Sequence, residues 1–266
     1  MNIGILGKGV VGSAIESGFI QLGHDVVFYD PKYAKSKFKN VINTDICFIC
    51  VPTPSLSNGV CDTSVVFDSV EKLSEYNYEG VVVVKSTVTP GTTKDVSNQF
   101  PNLKLAFVPE FLRERCAVVD FIQNHDVCVI GTDNEEIFQT IKQAHGHYPK
   151  NFIMVSTTEA EIIKYYNNIY NATLIVLANS FYEVCQSVEA DYSKVKKALV
   201  LRDHVGDSYL QCNKNFRGFG GVCLPKDTLA IAAMVEEKNL DISFFKMLIE
   251  ENNKYKTTVY DGMREQ

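Results

Sequence analysis

Short apolar runs and longer amphipathic stretches take turns along the first half of the chain. Runs at 2–6, 26–29, 45–51, 80–85, 104–108 and 126–131 have the length and the Val/Ile content of buried strands. The stretches at 13–22, 63–74, 92–100 and 135–144 carry the helical period. Strands alternating with helices predict an α/β protein with a doubly wound, mostly parallel sheet.

The pattern changes after residue 155. Ser156-Thr157-Thr158-Glu159 fits a capping box. Apolar positions at Ile162, Ile163, Tyr166, Ile169, Tyr170, Thr173, Leu177, Phe181, Val184 and Val188 then continue a helix to about residue 188. Opposite them, Glu161, Lys164, Asn168 and Asn171 share one face. That face reads either as solvated or as a polar wall turned towards the sheet. Further helical patterns lie near 192–201, 225–237 and 242–256. The expected organisation is a Rossmann-like domain over 1–155, followed by a helical domain over 156–266 with one long central helix.

Composition narrows the class. The 266 residues are 45% hydrophobic and 22% charged, which suits a globular protein with a sizeable core. A net charge of −6 without a long basic run argues against nucleic-acid binding. No apolar stretch reaches membrane-spanning length, so no membrane partner is expected. Eight dispersed cysteines and no signal segment ahead of residue 3 predict reduced thiols and a cytoplasmic location. Cys47 and Cys50 are spaced as C-x-x-C, but within a strand they face opposite sides, which argues against a redox disulfide. No metal site is expected.

Two stretches carry the candidate chemistry. Gly7-Lys8-Gly9-Val10-Val11-Gly12 sits between the first run and the first helix, and Asp30 ends the second run. This is a dinucleotide fingerprint in context. Gly7 makes the turn, Gly9 admits the pyrophosphate, Gly12 packs helix on strand, and Val10 and Val11 open the helix whose N-terminus receives the phosphates. Asp30 suits the ribose hydroxyls and repels a 2′-phosphate, which favours NAD. Thr53, Thr87 and Glu110 each follow a strand end, where ligands of such sheets bind. The second stretch is Gly218-Phe219-Gly220-Gly221-Val222-Cys223-Leu224-Pro225-Lys226-Asp227. It places a thiol in a glycine-rich turn just ahead of a helix, the setting of either a buried cysteine or a nucleophile.

Together with Val-Pro-Thr-Pro (51–54), Lys-Ser-Thr-Val (85–88), Pro-Glu-Phe-Leu-Arg-Glu (109–114) and Lys164 with Asn168, these motifs resemble the UDP-glucose/GDP-mannose 6-dehydrogenases across nearly the whole chain. The resemblance implies an NAD-dependent four-electron oxidation of a sugar-nucleotide C6 alcohol to the uronic acid, UDP-glucose to UDP-glucuronate above all. It implies Cys223 as nucleophile, and Lys164, Asn168, Asp227, Glu110 and Thr87 as catalytic. It implies Thr53, Thr87, Glu114 and Lys226 beside the cofactor. Substrate contacts would come from Phe111, Leu112, Arg113, Lys164, Asn168, Tyr209 and Gly220. A homodimer is expected by the same resemblance. Val108 and Arg115-Cys116 depart from the family pattern, and the family's usual C-terminal nucleotide-binding domain is not expected within 266 residues. A dehydrogenase of a smaller alcohol or hydroxy acid, and a non-catalytic NAD-binding subunit, are the alternatives.

Overall fold

The computed structural model describes residues 1–255, which divide into two compact units. One comprises 1–54 and 61–164, and the other 55–60 and the residues from 165 onward.

The first unit alternates as the apolar pattern requires: β1 (Asn2–Leu6), α1 (Val10–Gln21), β2 (Asp25–Tyr29), α2 (Phe38–Val41), β3 (Ile46–Ile49), α3 (Ser64–Glu75), β4 (Val81–Val84) and α4 (Thr92–Gln99). There follow β5 (Lys104–Phe107), α5 (Ala117–Ile122), β6 (Val127–Gly131), α6 (Glu135–His145) and β7 (Asn151–Val155). The sheet runs β2-β1-β3-β4-β5-β6-β7. Its pairs are parallel except β5 with β6, where Phe107 pairs antiparallel with Gly131.

The period of two divides the strand residues between two layers. Ile3, Ile5, Ile46, Phe48, Val81, Val83, Ala106, Cys128 and Ile130 pack with residues of α1, α5 and α6. Leu6, Cys47, Ile49, Val82, Val84, Leu105, Phe107 and Val129 pack with residues of α2, α3 and α4. Cys47 is therefore sealed in one layer, and none of the eight cysteines forms a disulfide.

β7 is not among the strands predicted from the sequence, although Phe152-Ile153-Met154-Val155 is an apolar run; it is an edge strand whose Ile153 and Met154 are exposed. Helix α1 starts at Val10, three residues earlier than the periodicity suggests, because its first turn is built from the glycine motif itself.

The long helix α7 (Thr157–Ser187) begins as the capping box predicts. The Ser156 N–H donates to the Glu159 carboxylate at 2.7 Å, and the Glu159 N–H donates back to Ser156 Oγ at 3.3 Å. The unit boundary falls inside this helix, after Lys164, rather than at residue 155. Its first turns belong to the sheet because Ala160 is wholly buried in the sheet core. Glu161, also wholly buried, accepts from the N–H groups of Gly91 (2.5 Å) and Thr93 (2.8 Å), at the start of α4. Burial pushes the Glu161 carboxyl up, against the pull of those donors.

The faces of α7 are the reverse of a solvated polar face. Glu161 and Asn168 are buried, while Ile162, Tyr166, Tyr170, Leu177, Phe181 and Val184 are exposed, Tyr166 at 74%. The polar residues turn inward because each finds a hydrogen-bond partner there, which removes the penalty of burial.

In the second unit, α7 is followed by α8 (Tyr192–Leu199), α9 (Cys223–Glu237) and α10 (Phe244–Asn252). Ala178, Cys185, Tyr192, Leu210 and Cys212 form its small core. Two buried amides hold the glycine-rich stretch. Asn179 Oδ1 accepts from the Gly218 N–H at 3.1 Å. Asn252 receives the Phe219 N–H at 2.7 Å and donates to the Phe219 carbonyl at 2.9 Å. Among the described residues no helix is long and apolar enough to cross a membrane.

Candidate active site

At the C-terminal end of β1 the chain makes a cradle for an anion. Gly7 has φ +92°, and a Cβ there would lie 2.5 Å from the Cys50 carbonyl oxygen. A Cβ on Gly12 would lie 2.0 Å from the Gly7 carbonyl oxygen, so helix and turn close on each other only with glycine. Around Gly9 the same construction meets open space. No side chain caps α1, which leaves the N–H groups of its first turn, at Val10, Val11 and Gly12, for a ligand. Val10 is exposed.

Asp30, at the end of β2, is buried and directed at this turn. Its Oδ2 accepts from the Lys8 N–H at 2.8 Å, and its Oδ1 from the Lys32 N–H at 2.9 Å. Lys8 Nζ is engaged elsewhere, paired with Glu16 at 2.9 Å and over the Phe28 ring. The open turn, the uncapped helix and the acid fit the pyrophosphate and ribose of NAD.

Thr53, Thr87 and Glu110 follow β3, β4 and β5, three neighbouring strands, so they cluster along one edge of the sheet. Cys61 ties the first two together: its thiol lies 3.5 Å from the Thr87 carbonyl oxygen and 3.9 Å from that of Thr53. Glu110 is buried. Its Oε1 accepts from the Phe111 N–H at 2.9 Å, and its main-chain oxygen accepts from Lys164 Nζ. The Phe111 ring lies 5.7 Å from the same ammonium.

The residues beyond Glu110 take separate places. Leu112 packs into the sheet core. Arg113 grips Asp120, with Nε to Oδ2 at 2.9 Å and Nη2 to Oδ1 at 2.6 Å, which holds the Asp120 carboxyl well below the usual range. Glu114 is exposed, in a 3-10 turn.

In the second unit, Cys223 is exposed and is the first residue of α9. Asp227, one turn further along the helix, is 1% exposed. Its Oδ2 accepts from Asn168 Nδ2 at 2.6 Å, and its Oδ1 pairs with Lys226 Nζ at 2.7 Å. Gly220 is half-buried. Tyr209 is exposed, with a left-handed φ of 65°.

One residue central to this arrangement, Lys85, opens the Lys-Ser-Thr-Val motif but takes no role from the sequence alone. Lys85, immediately after β4, is buried, with Nζ 3.0 Å from Glu110 Oε2. The available signal was a lysine closing a run of four valines, a charge that burial would oblige to find a partner.

Comparison with known proteins identifies the family. The NAD-binding-domain model of the UDP-glucose/GDP-mannose dehydrogenase family matches residues 32–148, and the central-domain model of the same family matches 158–254. A UDP-glucose 6-dehydrogenase of Rickettsia conorii is 31% identical over 98% of this chain and 68% of its own. Another, from Haloferax volcanii, is 29% identical over the whole of this chain and 72% of its own. The structure of a UDP-glucose dehydrogenase from Pyrobaculum islandicum superposes with a TM-score of 0.84 at 29% identity, covering 95% of this chain and 68% of that one. The chain thus spans about two thirds of the length of the relatives it matches. Two consecutive family domains, matched in order over most of the residues, make this chain a member of the UDP-glucose/GDP-mannose dehydrogenase family.

Proposed function

We propose that the protein oxidises the C6 alcohol of a nucleotide sugar to the carboxylate, with UDP-glucose the leading substrate. The observation that carries this reading is Cys223, exposed at the head of α9, one turn from an Asp227 that is hydrogen-bonded to Asn168. NAD, when bound, supplies the hydride acceptor. Gly7, Gly9 and Gly12 with Val10 and Val11 would hold its phosphates, and Asp30 its ribose. Thr53, Thr87, Glu114 and Lys226 would line its course.

Lys164 acts as the base that takes the C6 hydroxyl proton, or as an ammonium that stabilises the developing alkoxide while water takes the proton. Hydride departs from C6, leaving an aldehyde, and the Cys223 sulfur adds to its carbonyl carbon to give a thiohemiacetal. An aldehyde has no leaving group, so this addition creates the donor for a second hydride transfer. The product is a thioester. Glu110 with Thr87 orients a water onto it, the C–S bond breaks, the Cys223 thiol is regenerated, and the carboxylate leaves as product. Asn168 donates to the developing oxyanion, and Asp227 fixes Asn168 and Lys226. Phe111, Leu112, Arg113, Tyr209 and Gly220 contribute to the sugar site. Two NAD are consumed per uronate.

The exposed row Tyr166, Tyr170, Leu177, Phe181 and Val184 supports a homodimer built along α7, since such a continuous apolar face is rarely left in water. Reduced thiols throughout support a cytoplasmic setting. The protein would then comprise an NAD-binding domain followed by a helical domain carrying the nucleophile.

The test is stoichiometric. The protein is incubated with NAD and UDP-glucose or GDP-mannose, and NADH is counted against sugar consumed. Two NADH per uronate, with release of product dependent on Cys223, is the expected result. One NADH per sugar, indifferent to Cys223, would replace this reading with a simple alcohol dehydrogenase.

A further inference from the structure

A lysine buried in a sheet core is expensive unless its charge is matched, and Lys85 is 3% exposed. Its main chain continues the parallel ladder, donating to the Ile49 carbonyl at 2.9 Å. Its ammonium lies 3.0 Å from Glu110 Oε2, while Glu110 Oε1 takes the Phe111 N–H. One carboxylate oxygen is thus held by a main-chain donor and the other faces the ammonium as an ion pair. The surrounding titratable groups are Cys50 after β3, Cys128 in β6, His125 before β6, His145 at the end of α6, and Lys164 on the Glu110 main-chain oxygen. Burial pushes the thiols of Cys50 and Cys128 up to about 12, so both are neutral near pH 7. Burial, likewise, keeps His125 and His145 below their ordinary value. The Glu110 carboxylate is therefore the counter-charge on which Lys85 depends. Burial alone would pull the lysine down, yet with Glu110 beside it the net shift is upward.

A methionine would fill the same space without a charge to match, and replacing a buried pair with apolar groups is often neutral or stabilising. What the ion pair adds is direction. We propose that Lys85 is the positioning residue for Glu110, holding its carboxylate in the one orientation from which it can present a water to the thioester. This rests on the role given to Glu110 above.

Two measurements separate this proposal from that role. The first needs no turnover. The side-chain nitrogen resonance of Lys85, identified by its loss in Lys85→Met, is titrated in the wild type and in Glu110→Gln. The expected result is a midpoint lower by about 1–3 pH units in Glu110→Gln, the range for loss of an adjacent opposite charge. An unchanged midpoint would show that the pair does not form and would overturn the proposal, whether or not the enzyme is active. Should Lys85→Met fail to fold, lysine-selective labelling with Glu110→Gln alone gives the same reading.

The second measurement uses NAD and UDP-glucose. Folded Lys85→Met should release its first NADH normally, accumulate an acyl adduct on Cys223 by mass spectrometry, and hydrolyse it about 100-fold more slowly, the scale of an ångström-sized misplacement. Lys85→Arg should recover much of the rate. Hydrolysis at the wild-type rate in Lys85→Met would overturn the proposal. A wild type that forms no adduct would instead remove the function, and the first measurement would still decide the pair.

Discussion

Asn168 of α7 donates to Asp227 of α9 at 2.6 Å, and both side chains are buried. The amide is held by a carboxylate that lies one turn beyond the exposed thiol of Cys223. Removing the amide in Asn168→Ala strands a buried carboxylate oxygen, with an expected loss of about 1–3 kcal/mol. Denaturant unfolding of the variant against the wild type measures it, and an unchanged midpoint would mean the bond carries no stability.

Cys223→Ser should leave the fold intact, since the residue is exposed at the first position of its helix. Uronate formation should fall by roughly 1,000-fold or more, as expected when a nucleophile is removed from a group of residues acting together. Product analysis after exhaustive incubation checks this. Uronate formed at the wild-type rate would remove Cys223 from the mechanism.

Asp30→Ala removes the carboxylate assigned to the ribose hydroxyls. Hydrogen bonds to a charged group are worth about 1.5–3 kcal/mol, so NADH affinity should fall about 10- to 100-fold. The preference over NADPH should narrow at the same time. Fluorescence titration with each cofactor reads both effects without any sugar present. Unchanged affinity for NADH would place the ribose elsewhere.

His145 predicts the direction of acid sensitivity. The ring is wholly buried against Phe19, Phe48 and Phe121, with Nδ1 2.8 Å from the Ile141 carbonyl oxygen. Burial, then the charge of Lys85, holds its pKa well below the ordinary value of 6.5. The unfolded chain takes up a proton that the folded ring refuses. The stability contribution is therefore complete above about pH 6.5 and is lost as the pH falls from there, by up to about 1.4 kcal/mol per pH unit. Urea unfolding between pH 7 and pH 5 should show this slope, and His145→Phe should flatten it. An equal slope in the variant would assign the sensitivity to other groups.

The strands with fully buried faces were legible because their residues are apolar on both sides, as in Ile46–Ile49 and Val81–Val84. The length of α7 was legible too, from its capping box and its period. Which face of α7 turns inward was not. Hydrophobicity favours burying Tyr166 and Phe181, whereas Glu161 and Asn168 are buried by partners 59 to 70 residues away in sequence. The glycine turn, Asp30 and the Cys223 stretch are local and could be read directly. The pairing of Lys85 with Glu110 depends on β4 and β5 lying side by side in parallel, and no spacing along the chain encodes that neighbour relation.

The antiparallel joint between β5 and β6 bears on how the sheet opens. A single pairing, Phe107 with Gly131, links β6 and β7 to the rest of the sheet, while β6 and β7 are paired along their whole length. At that joint a Cβ on Gly131 would meet Ala160 Cβ at 2.7 Å and Thr157 Cα at 2.9 Å, so the start of α7 closes over it. The β6–α6–β7 segment is thus joined to the rest of the sheet by far fewer backbone pairings than hold β6 and β7 to each other. The same segment should be the first part of the sheet to exchange its amide hydrogens, ahead of the strands on the other side of the joint.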